Sequence, residues 1–116
     1  MAEAQKLESL SQKFAKHQET INELIQSRSQ LETQFQENKI VQDEFQSLNS
    51  ESKIYKLVGP ILLPQEFTEA DLNVKKRIEF IEGEIKRVET KIELEEKEME
   101  SIRSEIVQLR TSSVPA

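Results

Sequence analysis

Cysteine and tryptophan are absent from this 116-residue chain, which holds only one histidine, two glycines and three prolines. Without cysteine there is no disulfide, no thiolate nucleophile and no cysteine-based zinc site, an absence that fits a reducing compartment. Aromatics make up only 5% of the residues, whereas a compact globular core of this length carries more large apolar side chains and more turn formers. Apolar runs stop after three or four residues at Gly59, Pro60 or Pro64, so nothing reads as a membrane span. The opening MAEAQKLESL has neither the basic start nor the apolar stretch of a secretory signal. Together these predict a cytoplasmic or nuclear location. The phosphate-cradling patterns GxxxxGK(S/T) and GxGxxG are missing too, so no nucleotide site, no cofactor and no enzyme activity are expected.

What is abundant is charge. A third of the residues are charged, with a net charge of −6 and both signs interleaved. Residues 1–50 carry 8 acids and 5 bases, and residues 68–110 carry 12 acids and 9 bases. Neither half is a basic patch, which argues against nucleic acid and against an anionic membrane surface as partners.

Periodicity separates this polar chain from a disordered one. Apart from Gly83 in the second long segment, glycine and proline lie in the middle and at the C-terminal end, leaving two long segments and one short insert. In the second segment, Ile78, Ile81, Ile85, Val88, Ile92, Glu95, Met99, Ile102, Ile106 and Leu109 step by alternating threes and fours. That is a heptad repeat held for more than four heptads, with one polar member, Glu95. Glu82 with Lys86 and Glu93 with Lys97 add favourable i,i+4 pairs. Thr68-Glu-Ala-Asp71 resembles a capping box and places the helix start near Thr68. The first segment shows the same stepping through Leu7, Leu10, Phe14, His17, Ile21, Leu24, Arg28, Leu31 and Phe35. After Phe35 the apolar stripe passes to Val41, Phe45 and Leu48, which predicts a local phase shift. At ~1.5 Å per residue each segment forms a helix roughly 65–70 Å long. Two such helices bury both stripes only against each other, as an antiparallel pair crossing at about 20°.

The insert is apolar and β-favouring. Ile54, Tyr55, Leu57 and Val58 precede Gly59-Pro60, and Ile61, Leu62 and Leu63 follow it. This predicts two short strands, about Lys53–Val58 and Ile61–Gln65, around a turn. A lone two-stranded hairpin is marginal in water, and one that is apolar on both faces with free edges is an aggregation hazard. Other chains are therefore expected to cover it. The fold class is thus mainly α: two long antiparallel coiled-coil helices (about 5–50 and 68–110) joined by a short β-hairpin (about 53–66). It is a single domain over 1–111, with 112–116 a disordered tail.

Chemistry is sparse. His17 lies at a seam position and reads as a tolerated polar residue that helps fix register; no converging ligands suggest a metal site. Glu95 either sets register or marks where the helices begin to splay. The acidic run Glu93–Glu100 lacks the spaced pattern of a calcium loop and reads as a solvated helix face. At the free helix ends, Leu7, Leu10, Phe14, Ile102, Ile106, Val107 and Leu109 either close the coiled coil or present a mobile apolar surface to other proteins.

The block Ile54-Tyr-Lys-Leu-Val-Gly-Pro-Ile-Leu-Leu, together with Asn73-Val-Lys-Lys-Arg-Ile-Glu-Phe-Ile-Glu-Gly-Glu-Ile-Lys-Arg87, resembles the beta-class subunits of prefoldin, and the helix–hairpin–helix layout resembles them over essentially the whole chain. The resemblance implies a heterohexamer of alpha-class and beta-class subunits joined through β-barrels. Ile54, Tyr55, Leu57, Val58, Ile61, Leu62 and Leu63 would be the assembly residues, and the seven apolar end residues the candidates for client contact. It also implies unfolded actin and tubulin as clients, the cytosolic chaperonin as recipient, and no use of ATP. The alternative from another class is a structural coiled-coil adaptor or tether that binds folded partners along its length.

Overall fold

The structure, a computed structural model, describes residues 2–48 and 54–113, apart from the side chains of Lys56, Gln65 and Ser113. The described elements run α1 (Ala2–Gln46), β1 (Ile54–Val58), β2 (Ile61–Gln65) and α2 (Phe67–Ser113). Both helices are long because nothing interrupts them. α1 contains neither glycine nor proline, and α2 contains only Gly83.

The chain divides into two compact units. One joins Met1–Ser29 to Arg87–Ala116, and the other is Gln30–Lys86. In the terminal unit the buried residues are Leu10 and Ile21 from α1 and Ile92 from α2. In the hairpin unit they are Ala70, Val74, Ile78 and Ile81, all from α2. The Phe45 and Phe67 rings meet here at 6.0 Å, tilted by 56°, and pack the end of α1 on the start of α2. The tilt avoids the disfavoured face-to-face stack. Every buried residue is apolar, and no buried polar side-chain atom lacks a partner among the described residues.

The α2 seam follows the sequence pattern. From Val74 through Ile78, Ile81, Ile85, Val88 and Ile92 to Leu109, each seam residue is buried or half-buried. In α1 the expected phase shift does not occur. The stepping continues unbroken from Phe35 through Asn38 and Gln42 to Phe45, all half-buried. Val41 and Leu48, assigned to the stripe from sequence, are 36% and 37% exposed, and Ile40 points outward. The reason is local hydrogen bonding. The Asn38 amide donates to the Gln34 carbonyl at 2.8 Å, and the Lys39 ammonium donates to the Gln42 side-chain oxygen at 3.2 Å. With their polar ends satisfied inside the helix, these residues occupy the seam at little cost, and the helix has no need to rotate.

The ends of the helices also differ from expectation. α1 stops at Gln46, with Ser47 and Leu48 closing it through 3.1 Å bonds from their amides to the Glu44 and Phe45 carbonyls. Asn49 and Ser50, expected as its last residues, and Lys53, expected to open the first strand, lie outside the described residues. α2 begins at Phe67 rather than Thr68. The Ala70 amide donates to the Glu66 carbonyl at 2.9 Å, so Glu66 takes the cap position and Thr68 lies inside the first turn. Asp71 instead pairs with Lys75 at 3.0 Å. At the other end the helix runs past residue 110, and residues 112–113, expected to open a disordered tail, are helical. The Thr111 hydroxyl donates to the Val107 carbonyl at 2.8 Å and the Ser112 hydroxyl to the Leu109 carbonyl at 3.2 Å. Such bonds satisfy the two hydroxyls within their own helix. Val114–Ala116, the rest of the expected tail, lie outside the described residues.

The strands pair antiparallel with Val58 opposite Ile61, so Gly59-Pro60 is a two-residue connection. Gly59 has φ of +59°, and proline holds its own φ near −65°. Positive then negative is the sign pattern of a type II′ turn, one of the two that match the twist of a hairpin. Pro64, which has no N–H to give a ladder, is tolerated because each strand has an open edge among the described residues.

Candidate functional surfaces

The hairpin register sorts its side chains onto two faces. Tyr55 pairs with Pro64 and Leu57 with Leu62 on one face. Ile54, Leu63 and the Val58–Ile61 pair lie on the other. Apolar residues therefore occupy both faces. Of the seven residues assigned to assembly, only Ile54 is half-buried, while Tyr55, Leu57, Val58, Ile61, Leu62 and Leu63 are exposed. Leu57 and Leu62, directly opposite one another, are 68% and 61% exposed. Among the described residues each strand has an unpaired edge, and with this much uncovered apolar side chain the hairpin forms a surface suited to pairing with other chains.

The free ends of the helices behave differently. Leu10 is buried at 6% exposure, and Leu7, Phe14, Ile102, Ile106 and Leu109 are half-buried. These six lie in the seam and close the coiled coil. Val107 alone of the tip candidates faces outward, at 54% exposure. It borders a groove of about 580 Å³ whose lining includes Lys6, Glu105, Leu109 and Thr111. A second groove of about 370 Å³ lies in the same unit, with Phe14, Ile21 and Met99 flanked by Glu96, Glu100 and Arg103. Both grooves mix apolar floor with charged rim.

One feature was invisible as a pair in the sequence. His17 and Glu95, a polar seam residue from each helix, meet across the seam: the imidazole Nδ1 contacts the Glu95 carboxylate, and Nε2 lies 3.4 Å from the Glu98 carboxylate. Glu95 thus sits where a base receives it, which accounts for a carboxylate in an otherwise apolar row. His17 and Glu95 are about one-quarter exposed, so the pair is neither dry nor freely solvated. Among the described residues there is no group of three or more side chains arranged to hold a metal ion. No helix among them is long and apolar enough to cross a membrane.

Comparison with known proteins matches this geometry. A family model described as "Prefoldin subunit" matches residues 8–112. The chain is 46% identical over 104 residues to prefoldin subunit 6 of Saccharomyces cerevisiae, covering 90% of this chain and 91% of that protein. It is 35% identical over 105 residues to prefoldin subunit 6 of Homo sapiens, covering 90% and 81%. The crystal structure of the prefoldin beta subunit from Thermococcus strain KS-1 superposes with a TM-score of 0.83 at 18% identity, over 96% of this chain and 95% of that one, and so shares the fold. The helix–hairpin–helix order, the exposed apolar hairpin and the match over nearly the whole length place the chain in the prefoldin subunit family, as a subunit of the prefoldin chaperone type that partners other prefoldin subunits.

Proposed function

We propose that the chain is one subunit of a heterohexameric, ATP-independent holding chaperone, joined to alpha-class and other beta-class subunits through its β-hairpin. Its free helix ends receive unfolded clients, actin and tubulin among them, and pass them to the cytosolic chaperonin. Its place of work is the cytoplasm, and the nucleus where the complex is imported. The observation that carries this reading is the hairpin, apolar on both faces, exposed on six of its seven assembly residues and, among the described residues, open at both edges. A tether built only to span distance gains nothing from such a surface and risks aggregation by carrying it. The open groove beside Val107 supports client contact at the free end. Its apolar floor and charged rim suit loose, sequence-tolerant binding of unfolded chains.

The test is the mass of the purified chain in solution, alone and mixed with alpha-class and beta-class partner subunits. A discrete hexamer on mixing is the expected result, followed by suppression of client aggregation without ATP. Leu62→Asp is expected to abolish the hexamer, because it places an unpaired charge in a covered apolar surface. A uniform homo-oligomer indifferent to those partners would favour the coiled-coil tether instead.

A further inference from the structure

Where the hairpin meets the helices, the structure holds a groove of about 280 Å³ that neither the coiled-coil seam nor the strand pairing fills. Its floor is apolar: Phe45 from α1, and Ala70 and Val74 from α2, the last two at 4% and 6% exposure. Its rim is polar and comes from two elements. Asn73 and Arg77 stand one turn apart on α2, and Tyr55 comes from β1. Residues 70, 73, 74 and 77 follow the i, i+3, i+4, i+7 spacing of a single helix face, so the apolar and polar members are presented together. The amide of Asn73, the guanidinium of Arg77 and the hydroxyl of Tyr55 are all hydrogen-bond donors. None of the three has a hydrogen-bond or ion-pair partner among the described residues.

We propose that this groove is a socket for a neighbouring prefoldin subunit, taking an apolar side chain onto its floor and an adjacent Asp or Glu carboxylate at its rim. The proposal rests on the reading of the hairpin as the assembly element. Two observations select this occupant. First, the groove is continuous with the hairpin surface: Ile54, Tyr55 and Leu57 line the groove and are also hairpin assembly residues. A subunit that covers the hairpin reaches the groove without a second docking event. Second, three donors with a fixed positive charge among them call for an acceptor, and a carboxylate is the side chain that guanidinium holds in a two-bond fork. An apolar floor beside convergent polar groups gives both grip and orientation. Pairing of exposed edges by itself fixes register weakly, and a socket of this kind would distinguish one neighbour from another.

The experiment compares assembly of Arg77→Glu, Arg77→Lys and Leu62→Asp chains with the same partner subunits, by native mass and by titration of the complex. Arg77 is exposed on its helix, so thermal unfolding of the isolated chain is expected to be unchanged by either substitution. Arg77→Glu is expected to weaken assembly at least tenfold, and Arg77→Lys to weaken it less, since lysine keeps the charge and loses the fork. In parallel, a photo-crosslinking side chain at position 73 is expected to capture a neighbouring subunit at an acidic segment. Unchanged assembly of Arg77→Glu, with Leu62→Asp still disruptive, overturns the socket and leaves the hairpin reading standing. Normal assembly of both variants overturns the two together. Crosslinking only to client, or to a second copy of this chain, also overturns the proposal.

Discussion

At the scale of single residues, the seam is where sequence and structure are most closely tied. His17 and Glu95 each break an apolar row, and each is explained by the other. Removing one partner leaves a quarter-exposed polar group against apolar neighbours, whereas replacing both with leucine makes that layer of the seam apolar on both sides. His17→Leu is therefore expected to cost about 1 kcal/mol, and His17→Leu with Glu95→Leu to recover most of it, with a coupling energy of about 0.5–3 kcal/mol. Urea unfolding of the four chains in a double-mutant cycle measures this. Additive effects would mean the contact carries no stability. The two residues were legible singly as seam positions, but their pairing was not. It depends on the lengths of the links to the hairpin: residues 47–53 lie between α1 and β1, and only Glu66 lies between β2 and α2. No periodicity encodes the register of one helix against the other.

The helices and strands pose a different problem, that of register within each element. In α1 the apolar residues suggest a shift to Val41, while the backbone keeps its phase and buries Gln42 instead. Gln42→Leu is expected to stabilise the hairpin unit by about 1 kcal/mol, by replacing a half-buried amide with apolar surface. Val41→Gln is expected to be nearly neutral in the isolated chain. The thermal midpoints of the two variants decide the matter, and the opposite ranking would restore the phase shift. Hydropathy misled here because a polar side chain that bonds within its own helix, as Asn38 does with Gln34, loses little on half-burial. The same economy applies where α2 runs on to Ser113, with the hydroxyls of Thr111 and Ser112 bonded back to carbonyls of their own helix. The hairpin was the more legible element. Gly59-Pro60 between β-favouring residues leaves few alternatives, and the positive φ at Gly59 is one that only glycine adopts freely.

For the molecule as a whole, thin packing is the governing fact. Within each unit two helices share one seam, and among the described residues no large side chain falls below 2% exposure. Stability then leans on the seam residues that are most enclosed, and function falls to those that face outward. Leu10→Ala is expected to destabilise the terminal unit by about 2–3 kcal/mol, read from its urea midpoint. Val107→Ser is expected to leave that midpoint and hexamer assembly unchanged while weakening suppression of client aggregation. Equal client holding by the Val107 variant would move the contact to the Phe14–Met99 groove or elsewhere. The seven tip residues are not equivalent in this respect: the sequence presents them as one apolar group, and the structure divides them into six seam residues and one outward face.

The sequence by itself determined that there are two heptad-bearing helices, that a two-residue turn reverses the chain between them, and that no nucleotide-binding motif accompanies them. Those features are local: spacing, turn chemistry and residue type settle them within a few neighbours. Only the tertiary structure decided which residues face each other. It paired His17 with Glu95, put Gln42 rather than Val41 in the seam, and gathered Tyr55, Asn73 and Arg77 around one groove. Each of these joins positions far apart in the chain or weighs polar against apolar neighbours. They depend on link lengths and on hydrogen bonds that form only once the elements are packed.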